Sequence, residues 1–213
     1  RMLAQLTLGA PIMIRTASLL AAFLVASAVL ARVGPDSLGA HQVAFQLFIF
    51  LALALDAIAI AAQVLVARAL GAADPGGAMA TALRVCRWAL LVGVALAGLL
   101  AAGHDLIPRA FTSDPAVLAE CRALWPMFVL MLPAGAVVFA LDGILLGAGD
   151  LRYLAVAMAF SALGVFLPIA LLSLQQGWGV AGVWWGIVAL MAARLATLGP
   201  RLLRRGWVRL GAT

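Results

Sequence analysis

The sequence predicts an all-α, polytopic membrane protein, a bundle of about six transmembrane helices, and three observations carry that expectation. The 213 residues are 66% hydrophobic and 10% charged, with a mean hydropathy of +1.16, where soluble domains average about half apolar and about a quarter charged. Long apolar runs alternate with short breaks rich in Gly, Pro and Asp, and each run is long enough to cross a hydrocarbon layer of about 30 Å. Strand-like alternation is absent, and backbone groups in lipid must be satisfied within the segment, so a helical bundle is expected and a β-barrel excluded.

Taken in order, the apolar runs predict helices over residues 6–32, 41–70, 79–103, 117–145, 152–174 and 180–199. The run Gly34-Pro35-Asp36 ends the first. Asp74-Pro75 and Asp114-Pro115 each place a capping carboxylate before a proline suited to a first helical turn, so the third and fourth helices are expected to start there. Gly71, Gly147 and the pair Gly177 and Gly179 stand where left-handed caps would end helices. Pro11, Pro126, Pro133 and Pro168 interrupt the helices and permit bends. Small residues such as Gly93, Gly98 and Gly103 let neighbouring backbones approach closely. Leu70-Gly71-Ala72-Ala73-Asp74 and Leu146-Gly147-Ala148-Gly149-Asp150 are near-repeats, readable as internal symmetry or as shared turn chemistry. The organisation expected is a transmembrane lobe over 1–199 and a basic juxtamembrane tail over 200–213.

A net charge of +6 does not point to nucleic acid, because the basic residues are all Arg and gather at helix ends and in the tail. Six alternating spans put Arg1, Arg68, Arg84, Arg87, Arg152, Arg201, Arg204, Arg205 and Arg209 on one side and Arg32, Arg109 and Arg122 on the other. The excess places both termini in the cytoplasm. The segment from Arg201 to Arg209, with Trp207, reads either as lying on anionic headgroups or as a solvated tail. The first apolar run does not fit a cleaved signal, and a chain opening on Arg1 is expected to be part of something longer. Cys86 and Cys121 have no metal or disulfide spacing and read as packing residues.

Four ionisable residues fall inside predicted spans: Arg15, Asp56, Asp142 and Arg194. Each is costly in lipid, by about 3 kcal/mol on insertion scales, and is expected to face the bundle interior. By depth, Arg15 falls level with Asp56, and Asp142 and Arg194 fall nearer the cytoplasmic ends, which allows two separate ion pairs. Such pairs serve transport or merely brace the bundle, and the sequence leaves both open. Gln42, Gln46, Asp56 and Gln63 are spaced to share a broad face of the second helix, while His41 reads as a headgroup-level residue at its outer end.

Enzyme chemistry finds no support. Ser18, Ser27 and Ser161 have no intramembrane His to activate them, Asp56 and Asp142 differ in expected depth, and no phosphate-cradling loop or metal spacing occurs. No cofactor is expected beyond a coupling ion, H+ or Na+.

Several stretches resemble a known family. Ile14-Arg15-Thr16, Leu55-Asp56-Ala57 with Ala61-Ala62-Gln63, Ala67-Arg68-Ala69-Leu70-Gly71-Ala72, Phe111-Thr112-Ser113-Asp114, the run from Leu141 to Asp150, and Gly182-Val183-Trp184 together resemble the multidrug and toxic compound extrusion (MATE) family, most closely its DinF-like branch. The resemblance spans the chain but only the second of the family's two six-helix lobes. It implies half of a secondary antiporter in a bacterial inner membrane. Its lobes rock about a central cavity and export organic cations or other amphipathic toxic compounds against protons or sodium. The implied partners are the lipid bilayer, a small-molecule substrate and the missing N-terminal lobe, with no nucleic acid. Arg15 matches the branch's early-helix Arg and Arg194 the late one; Asp56 and Asp142 stand at family-typical positions. The carboxylate tied to proton coupling in that branch belongs to the absent lobe. The Glu that other branches carry in this lobe's first helix has no counterpart here, so no sodium site is placed. The alternative is a non-transporting six-helix scaffold or assembly subunit.

Overall fold

The computed structural model describes residues 2–208, with side chains from residue 10 onward. Arg1, Arg209 and the end of the tail lie outside the described residues. The element order is α1 (Met2–Val33), α2 (Pro35–Gly71), α3 (Pro75–Ala102), a single turn α4 (Leu106–Arg109), α5 (Pro115–Gly147), α6 (Leu151–Ala159), a π-helical stretch (Phe160–Phe166), α7 (Leu167–Gln176) and α8 (Gly179–Leu203). Six spans, with α6 to α7 counted as one, are long and apolar enough to cross a membrane. Among the described residues no strand is present.

Helix ends follow the local chemistry with two corrections. Asp74 accepts from the Gly77 amide and Asp114 from the Ala116 amide, each ahead of a proline in the first turn. Gly177 (φ 68°) and Gly179 (φ 63°) are left-handed as expected, but Gly71 and Gly147 are not. The left-handed residues there are Ala73 and Gly149, two positions later. The two near-repeats close by the same hydrogen bonds, Asp74 N–H to Ala69 and Ala73 N–H to Leu70, then Asp150 N–H to Leu145 and Gly149 N–H to Leu146. Their likeness is therefore a shared turn geometry.

The second correction concerns α2, which begins at Pro35 rather than near residue 41, because only the extended Gly34 separates it from α1. A proline at the first helical position needs no N–H and arrives with φ already set for a helix. In the fifth span the helix widens to π geometry just before Pro168. This proline lacks the N–H of a regular turn and its ring crowds the turn before it.

α5 is the central helix, packed against α2, α3 and α8, with α1 laid against α2 and α6. One apolar core joins α1, α2, α5, the π stretch and α8 around Phe23, Phe128, Phe166 and Trp184. A second, around Val66, Leu145, Leu198 and Trp207, fills the opposite end. Trp207 is fully buried and donates to the Leu202 carbonyl, so the start of the tail folds back under the bundle instead of lying on headgroups. Both cysteines are free, Cys121 buried and Cys86 partly so.

Backbone proximity between α2 and α5 rests on glycine. A Cβ at Gly143 would overlap the Ala59 backbone, and one at Gly147 the Gln63 backbone. Gly93 likewise seats α3 against Pro133 and Ala136, whereas Gly98 faces open space and Gly103 meets Ile107 of the following turn and the Leu99 carbonyl of its own helix. Substitution Gly143→Val is expected to lower the melting temperature of the native polypeptide in detergent by the equivalent of about 1–3 kcal/mol or more, from overpacking. Gly98→Ala is expected to leave it unchanged or raise it by up to about 1 kcal/mol.

Candidate functional site

The four intramembrane charges meet where the two apolar cores meet. Arg194 Nη2 lies 2.6 Å from both Oδ1 and Oδ2 of Asp142, and Arg15 Nη1 lies 2.9 Å from Oδ2. The side chains of Arg194 and Asp142 are 3% and 6% exposed, that of Arg15 27%. One carboxylate from α5 thus ties α1 to α8, with both oxygens occupied by guanidinium groups.

Of the two separate pairs that the sequence allows, Asp142 with Arg194 is present, and Arg15 joins it as a third member instead of forming the other. Arg15 does not pair with Asp56, and Asp142 and Arg194 are not displaced in depth from the other two. Counting rise along isolated helices treats them as parallel rods starting level. α2 and α5, at 37 and 33 residues, are about 55 and about 50 Å long and exceed the layer they cross, so they tilt or project from it.

Asp56 is exposed on α2 and, among the described residues, its carboxylate forms no ion pair or hydrogen bond. It lines a cleft of about 230 Å³ with Arg15, Ala59, Gln63, Phe139, Asp142 and neighbours. The expectation that all four charges face inward therefore fails for Asp56. With Arg15 and Arg194 against Asp142 and Asp56 the cluster is formally neutral, and Asp56 is the member that balances it from the cleft.

Gln42, Gln46 and Gln63 are also exposed. With Asp56 they occupy an arc of roughly 100° on α2 at 3.6 residues per turn, a face exposed among the described residues and bordered at its Gln63 edge by α1 and α5. Exposed Ile49, Leu53 and Ile60 lie between them, making the face amphipathic. Ala59 and Gln63 also meet α5 through their backbones, and Asp56, about 20° from Gln63 around α2, stands at the edge of that contact, where it lines the cleft with Arg15, Phe139 and Asp142.

His41 corrects a second expectation. It is fully buried, not at headgroup level, because the early start of α2 carries it inside the bundle. Its ring packs near Phe45 and edge-on to Trp184, with Nε2 3.2 Å from Ser27 Oγ. A Ser with an intramembrane His partner therefore exists after all. The Ser27 hydroxyl gives its hydrogen to the Phe23 carbonyl at 3.0 Å and so accepts from the ring, which cannot then act as its base. Ser37 donates to Glu120 at 2.9 Å, a further link between α2 and α5. The signal for the His41 position was Pro35 read as a first-turn residue. Nothing in the sequence marks the Ser37–Glu120 pairing. Among the described residues, no group of three His, Cys, Asp or Glu is placed to hold a metal.

Fold and site define an integral membrane protein that gathers ionisable groups at one level of its spans beside a polar, unpartnered helix face, an arrangement typical of membrane transport proteins. The chain belongs to the MatE family, whose model it matches over residues 11–172; its members are transporters, not enzymes. It is 34% identical over 166 residues to Protein DETOXIFICATION 42 of Arabidopsis thaliana, covering 78% of this chain and 32% of that protein. It is 30% identical over 193 residues to the probable multidrug resistance protein NorM of Xanthomonas campestris, covering 84% and 39%. A solved outward-facing multidrug resistance MATE family transporter superposes with a TM-score of 0.87 at 20% identity, covering 96% of this chain and 46% of that one. The chain thus spans about a third of the length of its curated relatives and under half of that solved chain.

Removal of the Asp142 charge strands two guanidinium groups, and a broken buried ion pair costs about 3–5 kcal/mol. Asp142→Asn is therefore expected to reduce folded protein in the membrane fraction several-fold. Asp56→Asn, which breaks no ion pair here, should leave it unchanged in the same immunoblot and melting assays.

Proposed function

We propose that this chain is the C-terminal lobe of a DinF-like antiporter in a bacterial inner membrane, with both termini cytoplasmic. It exports organic cations or other amphipathic toxic compounds, coupled to protons, with sodium as the alternative ion. The observation that carries the reading is the uncovered α2 face of Gln42, Gln46, Asp56 and Gln63. Polar groups in a span avoid lipid and face a partner or a water-filled cavity, so a second six-helix lobe across this face would enclose them. The interleaved Ile49, Leu53 and Ile60 suit ligands with an apolar body and a polar or charged part.

Within that reading the roles divide. Asp142 is a poor candidate for a coupling ion, since both its oxygens already meet guanidinium groups. Asp56 is the carboxylate open to the cleft and the residue proposed to exchange a proton or meet a cationic substrate. Arg15 and Arg194 hold Asp142, and Arg15 and Asp142 form part of the wall of the cleft. The Arg-rich cytoplasmic side follows from the positive-inside tendency.

The second reading, a non-transporting scaffold, draws on the internal pairing of Arg15, Asp142 and Arg194, which needs no partner. Efflux separates the two. Full-length Asp56→Asn in cells is expected to lose at least about tenfold of its resistance or dye efflux, as loss of a group acting in the proton step does, at unchanged membrane level. Wild-type efflux in that variant, or no efflux by the wild-type protein across a panel of organic cations, removes Asp56 or the transport reading respectively.

A further inference from the structure

At the end of the bundle away from the Arg-rich loops, a second cavity opens between the end of α3 and the first turns of α5. It holds about 440 Å³ and is lined by Ala101, His104, Arg122, Trp125, Pro126, Val129 and Leu130. That size falls in the range of about 300–1,000 Å³ typical of small-molecule sites. It is separate from the Asp56 cleft, with which it shares no lining residue.

The cavity has a charged mouth and an apolar depth. At the mouth, the Asp105 carboxylate receives Arg122 Nε at 3.2 Å and His104 Nε2 at 3.0 Å. This bracket uses only the Nε of Arg122, and its two terminal amino groups make no hydrogen bond among the described residues. Pro126 has no N–H to give the Arg122 carbonyl one turn earlier, so an acceptor is also left open at the mouth. Below, Trp125 forms a rigid wall, its Nε1 donating to the Leu100 carbonyl at 2.9 Å and its ring set edge-on to Phe128. Exposed Pro126 and Leu130 continue the apolar floor. From Arg122 to Leu130 the groove runs about 12 Å along α5, close to the depth of one leaflet's hydrocarbon, half of about 30 Å.

We propose that this groove binds one phospholipid with an anionic, hydroxyl-bearing headgroup of the phosphatidylglycerol type. The phosphate sits on the free guanidinium nitrogens of Arg122, a headgroup hydroxyl donates to the Arg122 carbonyl, and an acyl chain lies along Trp125, Pro126, Val129 and Leu130. A fork of guanidinium donors matches phosphate oxygens in geometry as well as charge, and Trp at the boundary of apolar and polar layers is where such a side chain rests. Charge alone would draw any anion; the apolar length below the fork selects a lipid.

The test is native mass spectrometry of the full-length polypeptide released from detergent, titrated with phosphatidylglycerol or phosphatidylcholine of identical acyl chains. The wild-type protein is expected to retain phosphatidylglycerol in preference by about fivefold, the factor corresponding to about 1 kcal/mol for one surface Arg. Arg122→Gln should bring the two lipids to parity. Val129→Trp, which fills the groove, should weaken both, and Arg109→Gln, an exposed arginine of the same end outside the groove, should behave as wild type. Arg122 is exposed, so its variant is expected to fold, as circular dichroism will check. Equal retention of both lipids by the wild type, or an undiminished preference in Arg122→Gln, overturns the proposal. Displacement of the lipid by excess glycerol phosphate also overturns it, by showing an anion site without a lipid component.

Discussion

The ion triad of Asp142 with Arg15 and Arg194 is the constraint on which the rest of the bundle depends. Each of these residues alone would oppose insertion into lipid, and only their convergence makes the first, fourth and sixth spans compatible with one another. It joins α1 and α8, far apart in sequence, through α5. Both Asp142 oxygens lie 2.6–2.9 Å from guanidinium nitrogens, so the negative charge of the carboxylate is already shared between two cations. An arrangement that ties three spans together in this way braces the bundle. Asp56 is the intramembrane carboxylate left outside it, with no ion pair or hydrogen bond among the described residues.

Asp56 stands outside it because of a steric fact on another helix. Gly143 and Gly147 allow α2 to lie backbone to backbone against α5 at Ala59 and Gln63, and the exposed arc of α2 begins at the edge of that contact, where Asp56 and Gln63 line the cleft. Four polar residues and three apolar ones are thereby turned to the uncovered side. The packing that closes the bundle on one side of α2 leaves it open on the other.

Much of the architecture was legible in the residues. Span number, the caps at Asp74 and Asp114 and the left-handed pair at Gly177 and Gly179 are local matters, set by hydropathy and turn chemistry within a few residues. The structure departs from the sequence expectation where a local signal has a second outcome or where a long-range contact decides. Gly34-Pro35 was read as a gap of several residues when one extended glycine suffices, and His41 was displaced to the surface with it. Depth counted along separate rods allows Arg15 a pair with Asp56, whereas Asp142, 127 residues away, holds it. For Trp207 the basic segment around it allows a place on headgroups or in a solvated tail, and only the Leu202 carbonyl and the surrounding core explain its burial.

By itself the sequence determined that this chain lives in lipid, that it crosses about six times, and which four charged residues are too deep to be incidental. Hydropathy and the cost of buried charge are properties of residues and short windows, so a linear reading reaches them. Which charge meets which, and which face of α2 is left uncovered, was decided only by tertiary structure. Those outcomes depend on helix tilt, on two glycines that let backbones touch, and on partners brought together from distant parts of the chain, and no window of sequence contains them.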